Sequence, residues 1–170
     1  MKTLRLALIT LLVSAAAFAA DSKPAAGVDA KYAFARLKSL VGEWQGEGPM
    51  GRVRISYRLI AGGTALLERE EFEKGPEMLT VYTIDGNRLL LTHYCMAGNQ
   101  PRMEAVSYDE AKGELKFRFL DATNLANPSA DHMKNATIRF LDNERVASDW
   151  EYFENGKFKE THGVQLTRVR

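Results

Sequence analysis

The residue types most able to do chemistry gather at the end of one short segment. His93 and Cys95 lie two positions apart in Arg88 to Cys95, above Leu89 and Leu91, while Thr92 and Tyr94 fall in the opposite phase. If the segment is a strand, the imidazole and the thiol share one face. An internal face would let them offer axial coordination to haem or two ligands to a soft divalent metal, with His132 as a third from a nearby loop. Against that, the spacing matches no dedicated metal motif, and a histidine near a strand end reads by default as a hydrogen-bonded structural group. The same two residues form the one local nucleophile–base pair. Side chains that stand parallel on one strand need a third group to orient the imidazole, and no recognised catalytic motif supplies one, so the expectation is a protein that is not an enzyme.

A second polar group follows directly. Ala97 to Arg102 carries a glycine, two carboxamides and a cation, and it is read as a loop between strands whose Asn99 and Gln100 satisfy its own backbone. Its functional reading places Tyr94, Asn99 and Arg102 around a barrel mouth, where they would orient the polar end of a mostly apolar ligand. Asn124, Asn127, His132 and Met133 fall in the longest expected loop, Asp121 to Lys134, and are placed to cover the same mouth. Glu68, Glu70 and Glu71 are read as a solvated charge run that pairs with Arg52, Arg54 and Arg58 of the preceding strand.

These residues need a scaffold, and the apolar pattern predicts its type. Asp29 is placed to cap a short helix from Ala30 to Leu40, with Phe34, Leu37 and Val41 at spacings of three and four. Beyond Gly42 the period becomes two. Val53, Ile55, Tyr57 and Leu59 alternate with Arg52, Arg54, Ser56 and Arg58, a strand with one buried face. Asp85-Gly86-Asn87 and Asn155-Gly156 are tight-turn signals between further alternating runs, and Ala136 to Leu141 follows the long loop. The expectation is an all-β fold of about ten antiparallel strands joined by short turns after one helix. Closure into an up-and-down barrel would remove the exposed edges and enclose either a filled core or a ligand.

Composition narrows the function classes. The chain has 170 residues, 45% hydrophobic and 26% charged, with 23 basic and 22 acidic residues and a formal charge of +1. No basic excess exists to neutralise a phosphate backbone, so nucleic acid is not an expected partner. One cysteine allows neither an internal disulfide nor a multi-cysteine zinc framework. Lys2 and Arg5 precede an apolar run, and Ala17-Phe18-Ala19 supplies the small residues read by signal peptidase, so residues 1–19 are read as a secretory signal. The run of about fifteen residues is short of the roughly twenty that span hydrocarbon, so no transmembrane anchor is expected after processing. Residues 20–29 are read as a flexible leader and 30–170 as one domain, periplasmic or secreted.

Gly42-Glu43-Trp44-Gln45-Gly46-Glu47-Gly48 opens the first strand after the helix and resembles the signature of calycin-type, lipocalin-like barrels, in particular that of the nitrobindin-like haem-binding proteins. Physically, Gly42, Gly46 and Gly48 permit a sharp bend at a barrel end, and Trp44 plugs that end against the helix. Thr92 to Met103, Asp121 to Leu125 and Asp131-His132-Met133 look like an uncharacterised family of exported bacterial proteins known only as a domain of unknown function. The nitrobindin resemblance implies a late-strand histidine that holds haem iron, and the candidate here is His162. Alternation alone, in phase with Val164 and Leu166, reads His162 as a core-facing structural histidine. The expectation is therefore a non-catalytic exported barrel that carries a small, mostly hydrophobic molecule. The alternatives are a haem or metal protein using His162, or His93 with Cys95, and a structural barrel with a packed interior.

Overall fold

The computed structural model describes residues 28–170. The expected signal at residues 1–19 and the leader as far as residue 27 lie outside the described residues. The chain forms helix α1 (Ala30–Lys38) and then ten strands: β1 (Gly42–Gly48), β2 (Gly51–Ile60), β3 (Ala65–Phe72), β4 (Met78–Asp85), β5 (Arg88–Tyr94), β6 (Gln100–Asp109), β7 (Glu114–Thr123), β8 (His132–Phe140), β9 (Arg145–Glu154) and β10 (Lys157–Arg168). Each strand pairs antiparallel with its neighbours in sequence, and β1 pairs with β10 to close an up-and-down barrel. Closure leaves no strand edge unpaired.

The turns are set by residues that tolerate a positive φ. Gly86 has φ +60° in the two-residue turn between Asp85 and Arg88, and Asn155 and Gly156 have φ of 51° and 73° between Glu154 and Lys157. The closing seam needs a glycine for a different reason. At Gly46 an added Cβ would lie 2.3 Å from the carbonyl oxygen of Gln165, so only a residue without a side chain lets β1 approach β10.

Helix α1 covers one end of the barrel. The Asp29 side chain accepts a hydrogen bond from the Tyr32 amide at 3.0 Å, and Ala33, Phe34 and Leu37 are buried beneath the helix. Trp44 is buried beside it and donates its indole N–H to the Leu40 carbonyl at 2.7 Å. The Arg168 guanidinium stacks 4.2 Å above the Trp44 ring and donates to the Val41 and Ser39 carbonyls at 2.9 and 2.8 Å. One cation from the last strand thus satisfies carbonyls left free at the helix C-terminus. The helix stops at Lys38, short of the expected Leu40, so Val41 leaves the helical face and is exposed while Leu40 is buried.

Three other expectations require correction. Glu68 and Glu70 are buried inside the barrel, and of the three glutamates only Glu71 is exposed, pairing with Arg69. Strand β8 starts at His132 rather than Ala136, so the loop after β7 is shorter than expected and both His132 and Met133 are strand residues. A bulge between Met133 and Asn135 shifts the register, which breaks the two-residue alternation that would have revealed this start. Leu59, expected on the inner face of β2, is exposed near the end of that strand.

Candidate functional site

The barrel end opposite α1 is built from the last residues of β1, β3, β5, β7 and β9 and the first residues of β2, β4, β6, β8 and β10. Inner positions here are unlike those beneath the helix. Along β3, the phase of Leu66 carries Glu68 and Glu70, both buried, followed by Phe72. Their neighbours on β2, β4 and β5 are Tyr57, Tyr82, Thr80 and His93, all buried.

The polar groups form two connected sets. Tyr82 donates its hydroxyl to Glu68 Oε2 at 2.5 Å, and Tyr57 is the cross-strand partner of Glu68 on β2. The Thr80 hydroxyl lies 2.9 Å from His93 Nδ1, and Glu70 Oε1 lies 3.9 Å from the same nitrogen. Burial pushes the Glu68 carboxyl up to about 7, against the lowering effect of the tyrosine hydrogen bonds. It raises Glu70 well above its usual value, helped by the charge of Glu68. Burial also lowers His93 to about 4. Glu70 Oε1 and His93 Nδ1 are 3.9 Å apart, but burial disfavours the charged form of both, raising the carboxyl and lowering the imidazole, and so opposes an ion pair between them.

Two atoms of this set have no hydrogen-bond partner in the protein, Glu70 Oε1 and His93 Nε2. Such an atom costs about 1–3 kcal/mol when it stays unpaired. Glu70 and His93 both line a cavity of about 50 Å³ whose walls are Met50, Phe72, Met78, Met133, Trp150 and Val164. His93 packs against the Trp150 ring with centroids 4.8 Å apart. A void of this size admits small groups, since one water needs roughly 10–15 Å³. It is far below the roughly 300–1,000 Å³ of sites that enclose a drug-sized molecule. The residues around it therefore do not fit an enclosed haem.

The residues singled out in the sequence are distributed unevenly about this cavity. His93, Met133 and His162 line it. His162 lies at the rim, its side chain 34% exposed, stacked on Tyr152 and 3.3 Å from Glu160. Tyr94 is exposed, and Arg102 is held in a two-pronged pair by Asp121 on the outer face. Asn99 is buried and donates to the Asp131 carbonyl at 2.8 Å, whereas Asn124 is exposed and donates to the Gly98 carbonyl at 2.6 Å. His132 is buried against Phe119, with Nδ1 2.6 Å from the Ala130 carbonyl. Cys95 is partly buried in the turn after β5, and burial pushes its thiol up, away from the thiolate form that attacks or binds metal. Among the described residues no group of three or more His, Cys, Asp or Glu side chains is placed to hold a metal ion. Of the opening motif, Gly48 lines the cavity, while Gly42 (φ +132°) and Trp44 belong to the helix-covered end.

Reasoning from sequence missed Glu68, Glu70, Thr80, Tyr82 and Trp150. A signal existed for the glutamates, because they share the phase of Leu66 and Phe72. It was masked by the consecutive Leu66 and Leu67, which fit either face equally well.

Comparison with known proteins adds the fold and no chemistry. A solved structure from Nostoc punctiforme, a protein of unknown function from the DUF3598 family, is similar to this chain with a TM-score of 0.54 at 15% identity. The likeness covers 78% of this chain and 48% of that one, so the chain spans about half the length of that protein. At such identity the barrel is shared, and function does not follow from it. No protein-family model matches the chain, and no curated protein matches it.

Proposed function

We propose that this barrel is a non-catalytic binding protein that holds the polar end of a small, mostly apolar molecule in the cavity at its open end. The observation that carries this reading is the pairing of thioether and aromatic walls with two buried polar atoms, Glu70 Oε1 and His93 Nε2, left without partners. Binding sites combine apolar surface with a few polar groups that fix orientation. Met50, Met78 and Met133 also make the walls adaptable, because an unbranched thioether changes rotamer at little cost. The volume admits the head of a ligand and leaves its tail at the mouth. The charged, apolar and small-residue order of the first nineteen residues supports export, so the expected encounter is outside the cytoplasm.

The small cavity favours one rival, a barrel filled by its own side chains that serves only as a scaffold. Native mass spectrometry of the protein purified from an exporting cell separates the two. A binding protein retains a small apolar mass, or takes up an added apolar probe with a change in Trp150 fluorescence. A bare mass together with no probe binding would leave the scaffold.

A further inference from the structure

We propose that the ligand's polar end is a primary ammonium group, held between Glu70 Oε1 and His93 Nε2 beside Trp150. This rests on the binding function proposed above and names the class of molecule. Among the described residues, those buried include Glu68, Glu70 and His93 but no lysine or arginine. The interior therefore holds two carboxyl groups without a cation of its own. Glu68 is occupied by Tyr57 and Tyr82, which leaves Glu70 as the acid able to face a guest. An ammonium brings three donors and no acceptor. It suits a carboxylate oxygen and an imidazole lone pair together, in a cavity that the electron-rich Trp150 ring also lines. A carboxylate guest would meet two acids and no cation.

Both orphaned atoms become acceptors at once when Glu70 is ionised and His93 carries its hydrogen on Nδ1, which then donates to the Thr80 hydroxyl 2.9 Å away and leaves a lone pair on Nε2. Where Glu70 is protonated before the ammonium arrives, reaching this arrangement releases the carboxyl proton to solvent and leaves histidine neutral. The other titratable groups facing this set are Glu68, Tyr57 and Tyr82 behind Glu70, and His162 at the rim.

The test compares hexylamine, hexanol and hexanoate on the full barrel at neutral pH, read by calorimetry in buffers of different ionisation enthalpy and by Trp150 fluorescence. Hexylamine is expected to bind at least about tenfold tighter than the other two and to displace protons, because burial holds the Glu70 carboxyl well above its usual range. Glu70→Gln is expected to abolish both the preference and the proton release while hexanol binding remains. Hexanol or hexanoate binding as tightly as hexylamine would overturn the ammonium assignment and leave the binding function standing. Failure of all three probes to bind would overturn both. Because the wild-type comparison needs no variant, poor folding of Glu70→Gln would not protect the proposal.

Discussion

The two ends of the barrel use the same backbone for opposite purposes. Beneath α1, whose own Leu37 is buried, the inner positions are Trp44, Leu89, Leu115 and Leu166, all fully buried, and the indole N–H there has its carbonyl. At the mouth lie Glu70, His93, Asn99 and His132, which together hold the four buried side-chain polar atoms without partners among the described residues. One end removes apolar surface from water with its indole N–H satisfied, and at the other two of these unpartnered groups, Glu70 and His93, line a cavity. The contrast teaches that satisfied and unsatisfied polar groups are segregated along the barrel axis, the pattern expected if the mouth is the binding site proposed above.

The largest test of this contrast is at the covered end. Trp44→Ala removes the ring that joins α1, β1 and Arg168, and should destabilise the barrel by about 3–5 kcal/mol. Urea unfolding measures it. A loss under about 1 kcal/mol would mean that this end is not where stability resides.

At the mouth, the corresponding test is pH. The Glu68 carboxyl titrates near 7 in the folded barrel against 4.5 ordinarily, so the native state binds that proton more tightly than the unfolded chain. Its contribution is intact below about 4.5 and is lost as pH rises through 7. Glu68→Gln keeps the shape and removes the titration. Relative to wild type, the variant should gain on the order of 3 kcal/mol between pH 4.5 and pH 7 to 8. His93, lowered to about 4, acts in the opposite sense, because its contribution is complete above about 6.5 and is lost as pH falls to 4. Taking variant and wild type at the same pH cancels that term. Parallel stability curves would show that Glu68 is solvated in solution.

A smaller and more pointed effect concerns sign. Glu70→Met replaces a buried acid carrying an orphaned oxygen with an apolar chain of similar length. It should raise stability at neutral pH by about 1–3 kcal/mol while abolishing the amine preference. Stabilisation at the mouth and loss at the covered end, from substitutions that both reach the core, is the signature that separates the two regions. A destabilised Glu70→Met would place Glu70 among the structural residues.

How much of this was legible in sequence follows the same division. At the covered end the code is local: Asp29 before a helix, Trp44 just after it and Gly86 at a two-residue turn are each read within a few residues. Strand order in an up-and-down barrel then needs only adjacency. At the mouth the code is not local. Bulges at Met133/Asn135 and Phe158/Glu160 reset the alternation, and Leu66-Leu67 hides the phase of β3. Moreover, a glutamate carries no mark of burial until the tyrosines that bond it are brought from strands β2 and β4. Pattern therefore exposed His93 and His162, which keep phase with apolar neighbours, and missed Glu68 and Glu70, whose type argued for water; Met133 reads from sequence only as a loop residue.

The smallest expected effect tests the outer surface against both ends. Arg102 and Asp121 face each other across β6 and β7 with both side chains about half exposed, and their pair is screened by solvent. Arg102→Ala should change stability by less than about 1 kcal/mol, and less still in high salt. Because the guanidinium is engaged on the outer face, the variant should also bind hexylamine as tightly as the wild type. A weakened affinity, with folding intact by circular dichroism, would extend the site from the inner wall to the rim and give Arg102 a part in steering the guest. Unchanged affinity would confine recognition to the groups that face the interior, where Glu70 and His93 are.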